Sequence, residues 1–495
     1  MKPYPVKLYW LVLLTALCIV RLWVMPLRSS FWVDEMATAF VVNHGANDST
    51  LRVAPQVPMS IYYALPQAAE KLFGSSEVVD RLPSLLAMTL ALWLIWRIAA
   101  ELIDPDAGWF AVFACMALRG FNYQAADARP YALGTCVLCL SAWLLIRWMD
   151  SNRWLDAILF AACASLLWRV HLVFWPFYAM FAAYAIVRLA RRDTEVTWLR
   201  AGAAFALLGV LLVPVAGGAA GLLRNAGAHV VSTLPGATDL ADSLKLGLLA
   251  TCSVGAAILS RWRRWPAGKL PAWSPLALIA AWWLCAPLGL FAFSWLTGNV
   301  TFVQRYLYLG LPGAALTATA MAAMFIPRQY WRTLSLALGA GVLLVLGQWN
   351  QLWPPHQNSN WRGAALALNA QALAIDTPVI CPSPFIEAKP PVWRPDYPTD
   401  SFLYSHLLPY RVAGKEYPFP FERSVEAELE ARQLTQEILP AAGRFAIYGP
   451  EKSVLHWRDW FRAQPELAAW RNRRLGSFGD VEAIVFENPK LAAGR

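Results

Sequence analysis

Charge is scarce in this chain. Asp, Glu, Lys and Arg make up 15% of its 495 residues, where a soluble protein carries about a quarter. With 58% of the residues hydrophobic, a surface that faces water on every side is excluded. Cysteine patterning is equally thin. Of Cys18, Cys115, Cys136, Cys139, Cys163, Cys252, Cys285 and Cys381, only Cys136 and Cys139 form a C-x-x-C pair, and that pair lies in an apolar run. Small packing residues explain it better than metal ligands do. Seven of the eight fall in expected membrane spans and Cys381 in the tail, so no disulfide framework is expected. The first apolar run has no small-residue cleavage site and further spans follow it, so it reads as an uncleaved anchor. The net charge of +10 does not indicate nucleic acid. The basic residues sit in short loops between apolar runs, where orientation bias puts them.

The chain does have apolar runs, several of about 20 residues, each long enough for roughly 30 Å of hydrocarbon. Spans are expected at 8–27, 82–100, 107–118, 131–146, 155–168, 172–187, 198–222, 240–259, 276–296, 306–325 and 334–346. The 26 Trp fit aromatic belts at two interfaces. Basic residues concentrate in alternate loops, as in Lys2 with Lys7, Arg147 with Arg153, and Arg261, Arg263 and Arg264 with Lys269. That bias puts the N-terminus in the cytoplasm, and about eleven spans then put the C-terminus outside. The protein is thus expected to be an integral multi-pass protein of the plasma (inner) membrane. Arg21, near the far end of the first span, is expected to snorkel to the interface.

The expected fold class is an all-α polytopic membrane protein with a small C-terminal α+β extracytoplasmic domain. The membrane part is assigned to 1–352, with a long first outer loop at 28–81, and the tail to 353–495. In that loop, Glu35–Asn43 and Ile61–Phe73 read as amphipathic helices lying on the membrane surface. Pro55-Gln56-Val57-Pro58 breaks the chain between them. In the tail, Val425–Leu439 has helical periodicity, while Arg444–Tyr448 and Val481–Phe486 read as short strands. The tail suits either a cap on a cavity or substrate recognition.

Candidate chemistry gathers at one face. Asp34 and Glu35 follow the first span at a helix start, where the macrodipole favours an ionised carboxylate that can act as a base. Asp127-Ala128-Arg129-Pro130-Tyr131 opens the fourth expected span, and Gln304-Arg305-Tyr306 opens the tenth. A guanidinium beside a helix start suits phosphate. His171 lies at the outer end of the sixth. Two carboxylates and two arginines on one face suit a lipid-linked phosphate donor and a hydroxyl acceptor.

These residues resemble a family. Val33-Asp34-Glu35, the stretch from Pro58-Met59-Ser60-Ile61-Tyr62-Tyr63 to Arg81-Leu82-Pro83-Ser84, Ala128-Arg129-Pro130-Tyr131-Ala132-Leu133, Arg305-Tyr306 with Pro312, and Trp361-Arg362-Gly363-Ala364 occur in that order. The set, over roughly 8–365, resembles the GT-C superfamily of integral-membrane glycosyltransferases. Within it, the set is similar to the bacterial family-39-like enzymes related to protein O-mannosyltransferases and the lipid A aminoarabinose transferase. The resemblance implies a polyprenyl-phosphate-linked sugar (hexosyl or pentosyl), inversion at the anomeric carbon, and a lipid, glycan or protein acceptor on the outer face. It implies Asp34 as catalytic base with Glu35 as its acidic neighbour. Arg129 and Arg305 are implied as donor-phosphate contacts, with Asp127, His171, Tyr131 and Gln56 lining the site. Some relatives hold a divalent metal near the acidic pair, and no other cofactor is expected. Against the lipid A enzymes, only Arg52 and Lys71 lie mid-loop as basic residues, which weakens an anionic lipid acceptor. A polyprenyl-linked sugar transporter or flippase, or a membrane assembly protein, is the alternative. Charges deep in the spans would favour transport, but Arg97 and Lys245 lie near span ends.

Overall fold

A computed structural model describes residues 6–225, 233–266, 268 and 270–492. Lys2 and Lys269, counted above among the inner-loop charges, lie outside the described residues. The chain forms two compact units. The first comprises Met1–Leu27, Met59–Ala69 and Arg81–Pro354, and the second Arg28–Pro58, Glu70–Asp80 and Pro355–Arg495. The first outer loop, assigned above to the membrane part, therefore divides, and most of it packs with the tail.

In chain order the helices begin with α1 (Leu8–Ile19), α2 (Val33–His44), α3 (Ala64–Phe73), α4 (Glu77–Leu102), α5 (Gly108–Met116) and α6 (Arg119–Ala125). Next come α7 (Tyr131–Ser151), α8 (Trp154–Val170), α9 (Pro176–Arg191), α10 (Trp198–Asn225), α11 (Ala237–Ser243) and α12 (Leu246–Arg263). Then follow α13 (Trp273–Thr297), α14 (Gln304–Leu307), α15 (Leu311–Ala323), α16 (Trp331–Leu346) and α17 (Trp361–Asn369). Every apolar run expected to span is helical. Among the described residues, seven helices are long and apolar enough to cross a membrane, or eight if α11 and α12, bent by 50°, count as one. The others are short or interrupted: α5 has 9 residues, and a 3-10 turn separates α14 from α15.

In the first unit α7 packs on α8, α9 and α15 pack on α13, and α1 and α5 pack on α16. Hydrocarbon gives helices no hydrophobic reason to associate, so close backbone approach matters. At Gly313 of α15, an added Cβ would lie 2.4 Å from the backbone N of Trp283 in α13. Charge is used sparingly, as pins. Arg188 of α9 pairs with Asp150 of α7 at 2.8 Å and with Asp193 at 2.6 Å. Arg97 pairs with Glu101 one turn along α4 at 2.6 Å.

Arg21 does not snorkel. It is 6% exposed and donates to four carbonyl oxygens: Gly347 (2.5 Å), Gln348 (2.8 Å), Gln351 (2.6 Å) and Leu352 (2.9 Å). All four follow the end of α16 at Leu346, where the chain leaves the helical ladder, and a cation at a helix C-terminus also meets the favourable end of the dipole. These oxygens solvate the guanidinium inside the unit, so it has no need of the interface.

The second unit contains a five-stranded sheet. Its strands are β1 (Pro378–Pro382), β2 (Lys415–Phe419), β3 (Arg444–Pro450), β4 (Arg471–Arg474) and β5 (Val481–Glu487). The order is β2-β1-β3-β5-β4, with β1 parallel to β2 and β3, and β5 antiparallel to β3 and β4. The expected strands are β3 and β5, whose apolar runs are buried. The other three carry misleading signals: prolines end β1, and three of the four residues of β4 are arginine. The expected helix at 425–439 is α18 (Val425–Gln433) continued by a π turn to Ile438. The helix expected at Glu35–Asn43 forms as α2 but does not present an amphipathic face: all eight residues from Glu35 to Val42 are buried. Phe40 meets Phe402 of the tail edge-on at 5.7 Å. By contrast, α3 does expose apolar residues, Leu65, Leu72 and Phe73.

His406 lies wholly buried among Trp361 (5.0 Å between ring centroids), Tyr448 (6.0 Å) and Tyr404 (6.1 Å). Neither ring nitrogen has a hydrogen-bond partner among the described residues. Burial pushes its pKa down to about 3.

Two outcomes are expected. Arg21→Leu strands carbonyls that hold a charged donor, at a cost on the order of 3 kcal/mol, and should lower the melting temperature of the detergent-solubilised protein by about 3 °C. An unchanged melt would remove Arg21 from the stability argument. For His406 the fold favours the neutral ring, so the unfolded chain binds the extra proton. Stability is complete above the ordinary pKa of about 6.5 and falls as pH drops below it, by up to about 1.4 kcal/mol per pH unit. Denaturant unfolding between pH 7 and 4 should show this slope in wild type and less of it in His406→Phe.

Candidate functional site

In the first unit, three separated segments bring polar side chains together. Between α6 and α7 the chain turns through Asp127 to Pro130, with the Arg129 N–H donating to the Asp127 carbonyl at 2.8 Å. Asp127 is 1% exposed. Pro130 then caps α7 with its ring-fixed φ of −60°. The Arg129 guanidinium lies 5.9 Å from the Tyr131 ring, and that of Arg305, on α14, lies 5.5 Å from the Tyr306 ring. His171 joins both: its ring centroid is 5.4 Å from that of Tyr131 and 5.6 Å from that of Tyr306, and the two tyrosines are 6.0 Å apart. Gly134 makes the approach possible. A Cβ there would lie 2.1 Å from the ring of Phe174, three residues after His171. The Ser60 hydroxyl donates to the Val170 carbonyl at 2.6 Å, so the segment after Pro58 packs at the same place.

His171 follows α8 with extended backbone (φ −165°), and its Nδ1 accepts the Val173 N–H at 3.2 Å. That bond fixes the tautomer, leaving the proton on Nε2. Burial first, then the charges of Arg129 and Arg305, push its pKa down to about 3. The imidazole is therefore neutral at physiological pH.

In the second unit, Asp34 and Glu35 lie in the first turn of α2. Their roles divide. Glu35 is fully buried and its Oε2 accepts the Trp32 N–H at 3.2 Å, so it caps the helix. Asp34 remains half-buried, with a solvent-facing share. The chain leading into α2 is held by the tail and by the start of α4. The Phe31 N–H donates to the Tyr410 hydroxyl at 2.8 Å, and that hydroxyl donates to Glu77 at 2.9 Å. Glu77 pairs with Arg362 of α17 at 3.1 Å. Arg362 in turn donates to the Arg28 carbonyl at 2.6 Å, and its backbone N–H donates to Ser30 Oγ at 3.2 Å. Burial, then the Glu77 carboxylate, holds the Tyr410 phenol well above its ordinary pKa. Gln56 lies on an exposed turn of this unit.

Arg129, Tyr131, His171 and Arg305 are thus brought together, with Asp127 in the adjoining turn. Tyr306, Glu77, Arg362 and Tyr410 were not singled out from the sequence. The first three lie within the ordered motif segments, which was the available signal. Tyr410 lies in the proline-rich stretch of the tail, where no periodicity marks it.

Tyr410→Phe removes one acceptor and one donor from the chain entering α2, a cost of about 1–3 kcal/mol. Hydrogen exchange at the Phe31 amide should quicken about tenfold or more. Unchanged exchange there would show that the segment does not depend on the phenol.

Comparison with known proteins bears on the fold and on one stretch of the sequence. The family described as dolichyl-phosphate-mannose-protein mannosyltransferase matches residues 56–215, a stretch that contains Asp127, Arg129, Tyr131 and His171. No curated protein matches the sequence. Two crystal structures of ArnT from Cupriavidus metallidurans share the fold. The apo form aligns with a TM-score of 0.57 and the form bound to undecaprenyl phosphate with 0.53. In both cases the match covers 96% of this chain and 98% of the other at 12% identity, a likeness of fold. One stretch of the chain is thus similar to the dolichyl-phosphate-mannose-protein mannosyltransferase family, and the chain as a whole shares the fold of ArnT.

Proposed function

We propose that the chain is an inverting glycosyltransferase that moves a sugar from a polyprenyl-phosphate donor to an acceptor hydroxyl at the outer face of the membrane. The observation that carries this reading is the convergence of Arg129 and Arg305 on the Tyr131–His171–Tyr306 cluster. Two guanidiniums in a confined, aromatic-walled place suit a phosphate. The undecaprenyl phosphate bound to ArnT, a protein of the same fold, supports the lipid donor.

In the reaction the acceptor oxygen attacks the anomeric carbon, and the bond from that carbon to the phosphate oxygen breaks. The bonding pair leaves on the lipid phosphate, where Arg129 and Arg305 stabilise it. The acceptor proton passes to Asp34. Glu35, as the cap of α2, sets where Asp34 stands and is a positioning residue. Asp127 shapes the turn that presents Arg129, and Tyr131 lines the place. In this reading the N-terminus is cytoplasmic and the tail extracytoplasmic, capping the site or recognising the acceptor. A divalent cation near Asp34 belongs to the proposal as well. Glu35 and His356 offer ligand atoms within 4.8 Å of each other and would hold it. Bound there, it would add positive charge for a leaving phosphate.

The test is transfer of labelled sugar from native membrane lipids. Asp34→Asn should abolish transfer with protein levels unchanged. Arg129→Ala should reduce it about a hundredfold or more. Normal transfer by Asp34→Asn would sink Asp34 as the base. No transfer by wild type supplied with candidate donors would favour the transporter or assembly alternative.

A further inference from the structure

We propose that His171 is a fixed, uncharged hydrogen-bond donor to the phosphate of the lipid-linked donor, acting beside Arg129 and Arg305. This inference rests on the phosphate reading above and assigns a residue and an atom to it.

The geometry leaves one role open to the imidazole. Nδ1 is committed to the Val173 N–H at 3.2 Å, so Nε2–H is the remaining polar group. The ring lies against Tyr131 and Tyr306, the same two rings that Arg129 and Arg305 face. The arginines and the imidazole therefore share one aromatic-walled place, on three segments far apart in the chain. A third cation there would be repelled by the two guanidiniums. A neutral N–H adds a donor without adding repulsion, and its direction is set by the backbone rather than by a flexible stem. Phosphate presents several oxygens, more than two guanidiniums must serve alone. The lowered pKa of His171 agrees with this and argues against a proton-transfer role. The tyrosine phenols and the two arginines are the titratable groups that face the ring in these contacts. No bond changes at His171 during turnover.

Two substitutions separate binding from capping. An Asn side chain keeps an acceptor at the Nδ1 position and lacks the Nε2–H. A Gln side chain carries an N–H near the Nε2 position and lacks the Nδ1 acceptor. The probe is undecaprenyl phosphate, titrated into the purified full-length protein in detergent, with Arg129→Ala and Arg305→Ala alongside. His171→Asn should weaken binding about tenfold, the worth of one hydrogen bond to a charged group. His171→Gln should stay within about threefold of wild type.

The opposite order, with Asn binding normally and Gln weakly, would assign His171 to capping the turn and overturn the proposal. So would equal losses in both. If the arginine variants lose affinity while both His171 variants bind normally, this inference fails and the phosphate reading stands. If the arginine variants bind normally, the phosphate reading fails and takes this inference with it. Should His171→Asn not fold, nitrogen-15 NMR of the wild-type imidazole decides. An Nε2–H resonance that stays neutral between pH 5 and 8 and shifts on adding undecaprenyl phosphate supports the proposal. A resonance that does not shift refutes it.

Discussion

A guanidinium buried without a carboxylate must be solvated by carbonyl oxygens, and Arg21 finds four of them. The chain's scarcity of charge makes this the governing constraint. In a largely apolar protein a buried cation has few acidic partners, so backbone left open by helix ends does the work instead. The clamp joins the end of the first membrane helix to the end of α16. These are also the places where the chain leaves the first unit, after Leu27 and after Pro354.

The same economy shapes the two candidate clusters. Glu35 and Asp34 are neighbours of like chemistry, yet the fold spends one on capping α2 and leaves the other half-buried. His171 is likewise divided by atom, with Nδ1 holding backbone and Nε2 turned to other use. A residue type alone would not reveal either split. Each follows from where the helix begins or ends and which N–H groups that leaves unpaired.

This sets how much was legible in the sequence. The spans were, because long apolar runs admit few structures in hydrocarbon. So were β3 and β5, where burial on both faces gives continuous apolar runs. The arginines and tyrosines of the first-unit cluster were legible as motif members, each at a span start. What local patterns could not supply was partnership over long separations. Arg21 read as a snorkelling residue because its acceptors lie more than 300 positions away. The α2 stretch read as a surface helix because the tail residues that bury its second face, Phe402 among them, are far along the chain. Glu77, Arg362 and Tyr410 form one network from three distant segments, and none carries a local signal of the others.

The discontinuous make-up of the second unit has a consequence in time. Its first pieces, Arg28–Pro58 and Glu70–Asp80, are synthesised long before Pro355–Arg495. At about 5–20 residues per second, the interval is on the order of tens of seconds. Through that interval Phe31 has no Tyr410 to receive its N–H, and Glu77 has no Arg362. The helix carrying Asp34 reaches its final surroundings only once the last part of the chain arrives. An incompletely made chain would thus hold its membrane helices and its arginines but not a fixed carboxylate.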